Sequence, residues 1–438
     1  MGKRTPNGTI LVLALVMLIE SLATGIPISY FPKYATSLGA SVSSLGVFMS
    51  SFMASYAIMS PKMGGLSDRY GRKKLMTYGL TGDVVLGVAQ GLAPNWVWLL
   101  LIRIINGVVA SAAMVSGQAL LMDVADSGKR GEVSGMVMSM SMFGHMVGPM
   151  FGGIIQSYSV KRGFSLITSY RIPYFVDSIL ATVALVLIIW KIPNKETESE
   201  NHKVGNLHMG THNEPMVKHG QVQNKLKINE LSKPLKILLV FTFVNGLIEG
   251  VTMPLIVLFL GDKFQMVPYE IGTFLSVSGI VGLFATMYAG KLADRYGRKP
   301  FIVLGSLVSY VSSIFIPIVD TLSFVLGFTT LWSVADNTGS PSLLALRTDL
   351  TDENNRGRIF GYFGSISMLG MIIGPIIGTY LYGTYQNMNL FLLGVSVPGY
   401  GLPFILFGIL GVVVVLMVQF LITEPESKSL DVKEVDEK

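Results

Sequence analysis

Four ionisable residues stand inside long apolar runs, where charge is costly: Glu20, Arg103, Glu249 and Asp336. Placing such a group at the centre of a membrane-spanning helix costs roughly 2.5 to 3.5 kcal/mol on insertion scales, so each is a candidate functional group. Three acids face one base, which leaves at least two carboxyls without a cationic neighbour. Such groups can take up and release protons or hold a cationic substrate. Glu249 and Asp336 are the leading proton carriers or substrate contacts, and Glu20 ranks third. Thr24, Asn106, Asn245, Trp332 and Asn337 fall within about one helical turn of these charges and are expected to shape the pocket. Asp83 lies at a depth similar to that of Arg103, on the other arm of a tight hairpin closed by Ala93-Pro94-Asn95. Three readings of the arginine stay open: an ion pair with Asp83, an ion pair with Glu20, or a part in coupling. Asp177 reads as a hydrated residue near a helix end, and His145 as a packing or backbone-bonding residue.

Other chemistries find no residues to carry them. His202, His208, His212 and His219 are irregularly spaced in one polar stretch, and the chain has no cysteine, so no metal site is expected. A Gly-x-x-x-x-Gly-Lys-Ser/Thr phosphate loop is missing, so ATP is not the expected energy source. Neither a cofactor nor an enzymatic activity is expected.

The charged residues must be held by helices. Half of the 438 residues are apolar, only 14% are charged and the mean hydropathy is +0.56, against about 25% charged in an ordinary soluble domain. Apolar stretches of about 18 residues or more are long enough to cross a bilayer. Twelve are counted, near 9–31, 43–64, 75–93, 96–122, 131–157 and 172–192, then 236–260, 269–290, 300–320, 322–346, 359–384 and 400–423. Lipid cannot satisfy backbone polar groups and no short alternating strands are evident, which favours a helical bundle over a barrel. The first run is read as a retained helix.

Where the basic residues fall matters more than the net charge of +6. Of the 33 lysines and arginines, five (Lys33, Lys161, Arg162, Arg171 and Lys263) lie on one set of loops and Arg103 lies inside a span, leaving 27 on the other set. By the positive-inside rule that second set, together with both termini, is expected to be cytoplasmic. The charge therefore describes topology in a cell membrane and gives no footprint for nucleic acid.

One register organises the chain. Gly65-Leu66-Ser67-Asp68-Arg69-Tyr70-Gly71-Arg72-Lys73-Lys74 returns as Gly290-Lys291-Leu292-Ala293-Asp294-Arg295-Tyr296-Gly297-Arg298-Lys299, with Asp68 and Asp294 separated by 226 positions. The same interval of 226 relates Asp123 to Asp349, Arg130 to Arg356, Gly148 to Gly374 and Pro149 to Pro375. Such a repeat describes two copies of one module. The expected fold is an all-α membrane protein of twelve transmembrane helices in two pseudo-symmetric six-helix bundles, residues 1–192 and 235–424. A polar linker, 193–234, and a polar tail, 425–438, are expected to be cytoplasmic.

These motifs resemble the major facilitator superfamily, in particular its twelve-helix proton-coupled drug antiporters, over nearly the whole chain apart from the linker and the ends. The basic decapeptide is similar to the family's signature loop between spans 2 and 3. The resemblance implies a cytoplasmic latch of Gly65, Asp68, Arg69, Gly71, Arg72 and Asp123, repeated by Gly290, Asp294, Arg295, Gly297, Arg298 and Asp349. In it, Asp68 would cap span 11 near Arg358 and Ile359, and Arg72 would reach Asp123. Leu99-x-x-x-Arg103-x-x-x-Gly107 resembles the motif whose arginine the family associates with proton transfer, although Thr329 occupies its repeat position. Gly135, Gly144, Gly148, Pro149, Gly152 and Gly153 in span 5 are spaced as in the family's antiporter motif. Its second-half copy, Gly361, Gly370, Gly374, Pro375 and Gly378, ends in Thr379 instead of glycine. In the family spans 1, 4, 7 and 10 line the central cavity, which would gather Glu20, Arg103, Glu249 and Asp336.

The expected activity is export of small organic compounds, multidrug-like and cationic or amphipathic, by proton antiport and alternating access. A proton-coupled uptake symporter for an organic acid or sugar is the alternative, and a non-transporting membrane sensor or scaffold is the alternative of another class. The expected partners are a small-molecule substrate, protons and the lipid bilayer, with the protein acting as a monomer and binding no nucleic acid.

Overall fold

A computed structural model describes residues 6–126, 128–192, 230–351, 355–392 and 395–422. The first six long helices are α1 (Pro6–Gly25), α2 (Leu45–Tyr70), α3 (Arg72–Gly91), α4 (Trp96–Val124), α5 (Arg130–Lys161) and α6 (Leu166–Lys191). The second six are α7 (Lys233–Lys263), α8 (Pro268–Tyr296), α9 (Arg298–Phe315), α10 (Leu322–Asp349), α11 (Arg356–Tyr385) and α12 (Leu402–Leu421). Among the described residues eight of these are long and apolar enough by themselves to cross a membrane. The other four, α3, α5, α9 and α10, are richer in glycine, serine, threonine or charge, and they pack within the same two bundles.

Local sequence sets the breaks. Gly71 and Gly297 take φ of +97° and +95°, a region open to glycine at little cost, and so turn α2 into α3 and α8 into α9 without a loop. Asn95 Oδ1 accepts from Val97 N at 3.1 Å and Trp98 N at 3.2 Å, capping α4 after the short link. Pro27 and Pro32 end α1 in a tight turn and start a short helix, Phe31–Ser37.

One feature differs from expectation. A two-stranded antiparallel hairpin, β1 (Asn389–Leu392) and β2 (Val395–Pro398), joins α11 to α12. It lies wholly between the expected spans 359–384 and 400–423, where two four-residue strands are too short for alternation to stand out in the sequence.

The helix pairings repeat with the sequence. α1 packs on α5 as α7 packs on α11, α2 on α4 as α8 on α10, and α3 on α6 as α9 on α12. The two halves meet mainly through α2 against α11 and α5 against α8, contacts exchanged by the same pseudo-symmetry. Glycine makes the tightest approaches possible. A Cβ on Gly144, Gly148 or Gly152 would stand 2.5, 2.6 or 1.9 Å from the backbone of α1 or its C-terminal turn. On Gly370 and Gly374 it would stand 2.4 and 2.3 Å from the backbone of α7. Small residues let membrane helices gain dispersion contact along their backbones, in the absence of a hydrophobic drive between helices.

Candidate functional site

The four intramembrane charges do not form one ring. They divide between the halves, with an acidic cluster inside the first and a carboxyl pair in the second.

In the first half the Glu20 carboxyl, on α1, is within hydrogen-bonding reach of the Asp83 carboxyl on α3. Glu20 is only 8% exposed, and its Oε1 is buried without a hydrogen-bond partner. Asp177 on α6 joins this cluster: it lies in electrostatic reach of both acids, and its Oδ2 is 3.5 Å from where a Cβ on Gly87 would stand, one turn beyond Asp83. It is therefore a third member of an intramembrane group, contrary to its reading as a hydrated end. Sequence depth gave a usable signal, since Asp177 is near the middle of the 26-residue α6.

Arg103 pairs with neither expected acid. Its guanidinium lies over the rings of Phe31 and Phe52, at 4.7 and 5.4 Å, and its Nε is buried without a hydrogen-bond partner. The carboxylate in its electrostatic reach is Asp177, near Tyr30 and Tyr174. Among the described residues it forms no ion pair. Facing decides the partner, and aromatic faces take the charge.

In the second half Glu249 on α7 and Asp336 on α10 interact electrostatically. Glu249 is the one exposed residue between Phe241 and Gly261, on a helix otherwise enclosed by protein. Asp336 is half-buried. Tyr310 of α9, missed from sequence, stands near Asp336: its hydroxyl donates to Asn245 Oδ1 at 2.8 Å and lies in electrostatic reach of Asp336. Arg347 was missed too. It donates from Nη2 to Thr242 Oγ1 at 2.6 Å and stacks over Phe363 at 4.4 Å, tying α10 to α7 and α11.

The expected lining residues are placed unevenly. Asn245 stands beside the carboxyl pair through Tyr310, whereas Asn337 turns toward α8, where its Nδ2 is 2.8 Å from the Cβ position of Gly282. Its backbone oxygen accepts from Thr286 Oγ1 at 3.3 Å. Asn106 and Trp332 are half-buried. Thr24 is exposed and bonds to Ser21 O of its own helix at 3.0 Å. His145 is exposed, and its backbone oxygen packs against Gly25.

At the basic face, Arg72 Nη1 lies 2.6 Å from Asp123 Oδ1 and 2.5 Å from Ala119 O. Arg298 repeats both contacts with Asp349 and Ala345 O. Asp68 does not reach α11. It is 71% exposed and 3.5 Å from Arg72 on the next helix, because the halves stand apart there. No other element comes within 4 Å of the Cβ positions of Gly65, Gly71, Gly131, Gly135, Gly357 or Gly361. Arg69 is exposed and lies over the neighbouring Tyr70 ring, Arg295 is exposed, and Gly297 is half-buried. Gly290 and Asp294 lie outside the residues whose side chains are described, as do the four linker histidines.

At the opposite face the halves touch. A Cβ on Gly46 would stand 2.0 Å from Pro375 O, and one on Gly272, its repeat position, 2.1 Å from Pro149 O. Ser50 Oγ donates to Ile372 O at 2.5 Å, while Ser276, its counterpart, accepts from Met150 N at 3.2 Å.

Comparison with known proteins gives the same architecture. The profile described as Major Facilitator Superfamily matches residues 13–235 and 238–438. The chain is 23% identical to the tetracycline resistance protein, class H, of Pasteurella multocida, over 89% of this chain and 93% of that protein. It is 25% identical both to multidrug resistance protein 2 of Bacillus subtilis, over 88% and 92%, and to the quinolone resistance protein NorA of Staphylococcus aureus, over 90% and 95%. Among solved structures it resembles a bacterial homologue of the lysosomal transporter Spinster in an inward-facing, occupied conformation, with a TM-score of 0.71 at 12% identity, covering 95% and 96% of the two chains. A D-xylose–proton symporter gives a TM-score of 0.71 at 15% identity, covering 97% and 99%.

Proposed function

Because the chain belongs to the major facilitator superfamily, and so is a multi-pass membrane transporter of small molecules, we propose that it exports small organic compounds in exchange for protons. The carrying observation is the Glu249–Asp336 pair: two interacting carboxyls near the middle of their helices, with Glu249 exposed on a helix that is otherwise buried. Two like charges in such a place repel each other and lose hydration, so the pair is suited to exchanging a proton for a cationic group. The Glu20–Asp83–Asp177 cluster is a second proton reservoir, inside the first half. The relatives' names, tetracycline, multidrug and quinolone resistance, support export of amphipathic compounds. The likeness to the xylose symporter concerns the fold alone.

The basic face is taken as cytoplasmic, with both termini. The halves, 1–192 and 235–424, then stand in an inward-open arrangement, touching at the outer face and separated at the inner one. Alternating access proceeds by rocking one half against the other around the carboxyls. Arg72–Asp123 and Arg298–Asp349 keep each half rigid at its inner end, and a monomer suffices. The test is accumulation of tetracycline, a quinolone and ethidium in inside-out vesicles. Uptake that collapses with the proton gradient is the expected result; gradient-independent flux, or movement in the opposite direction, contradicts the proposal.

A further inference from the structure

The two contacts that close the outer face are symmetric in position but not in chemistry. Position 153 in the first half is glycine, and a Cβ there would stand 2.4 Å from Pro268 O and 2.6 Å from Tyr269 Cα, so α5 meets α8 backbone to backbone. Position 379, its repeat, is threonine, fully buried in the contact between α11 and α2. Thr379 Oγ1 accepts from Gly46 N at 2.9 Å and offers its proton to Pro375 O at 2.9 Å and Ser43 O at 3.3 Å.

The starts of the two facing helices explain why a hydroxyl is needed at one contact only. The first N–H groups of any helix lack partners within it and must find them elsewhere. α8 supplies its own: Pro268 has no N–H, and Glu270 Oε2 accepts from Val267 N at 3.1 Å. α2 has neither a proline nor an acid in its first turn, and Ser44 before it makes no side-chain cap. Its Gly46 N–H takes a cap from the other half of the molecule. We propose that Thr379 is a positioning residue that caps α2 in trans and thereby sets how long the outer face stays closed. Opening that face pulls α2 from α11 and strips the cap from a buried donor, so the hydroxyl stabilises the inward-open state selectively. This rests on the alternating-access reading above, but not on proton coupling or on the direction of transport.

The natural absence of cysteine permits a direct test. Ser276→Cys places one thiol at the other outer contact, where the native residue is 1% exposed, so maleimide reaches it only when the halves part there. Purified protein in nanodiscs, without substrate or gradient, is labelled in the parent, Thr379→Val and Thr379→Ser backgrounds. Loss of one neutral hydrogen bond predicts labelling about three- to ten-fold faster for Thr379→Val, with Thr379→Ser close to the parent. Equal rates in Thr379→Val and parent overturn the proposal, and so does a rise in Thr379→Ser as large as that in Thr379→Val or larger, because serine keeps the capping hydroxyl and valine keeps the methyl group. Should Thr379→Val not accumulate as folded protein, Thr379→Ala carries the same expectation and the same refutation. A loss of flux with unchanged labelling would speak against the trans cap while leaving the transport reading intact.

Discussion

Arg72 of α3 and Asp123 of α4 form a half-buried ion pair, Nη1 to Oδ1 at 2.6 Å, with side chains 29% and 26% exposed. The same bond joins Arg298 to Asp349 one repeat later. Hydrogen bonds to charged groups contribute about 1.5 to 3 kcal/mol each. Arg72→Ala or Asp123→Ala is therefore expected to lower initial transport rates by about ten-fold at unchanged membrane levels. Exchanging the two charges should restore part of the rate, and only part, because Ala119 O loses its donor. Rates measured in vesicles, normalised to protein, check this.

Asp177 provides a second prediction. As a member of the cluster with Glu20 and Asp83 it should matter to flux, so Asp177→Asn is expected to reduce proton-driven transport about as much as Asp83→Asn. A hydrated end residue would tolerate the change. Parallel pH-jump uptake assays on the two variants separate these outcomes.

The glycines of α5 are not equivalent. Gly152→Ala drives a Cβ to 1.9 Å from Ile26 O and should lower the thermal unfolding midpoint in detergent sharply. Gly135→Ala meets nothing within 4 Å of another element. It should leave the midpoint unchanged or raise it slightly, since alanine is favoured over glycine in helices by about 1 kcal/mol. A common loss in both variants would contradict the packing described above.

Much of this architecture is legible in the sequence. The interval of 226 marks two copies of one module, while the resemblance to the family, not the spacing, implies the Arg72–Asp123 contact that Arg298–Asp349 repeats. Position along a helix is legible in part, since residue number converts to rise, although Asp177, read as an end residue, stands near the middle of α6. Facing is not. One chain gives no azimuth for Arg103, so Asp83 at equal depth looked like its partner, while Phe31 and Phe52 take the charge and Asp83 turns to Glu20. Tyr310 and Arg347 escaped notice for the same reason: each acts across helices remote in sequence, on Asn245 and Thr242. That Asp68 stays with Arg72 reflects conformation, because its expected neighbour on α11 belongs to a half that stands apart at the basic face.

If the Glu249–Asp336 pair carries the exchanged proton, as proposed, neutralising either carboxyl stops proton movement. Proteoliposomes containing a pH-sensitive dye report it when ethidium, tetracycline or a quinolone is added to the parent, Glu249→Gln and Asp336→Asn proteins. Substrate-dependent proton movement in the parent, falling at least ten-fold in both variants while substrate still binds, is the predicted result. Proton movement that persists at the parental rate in both would contradict the account.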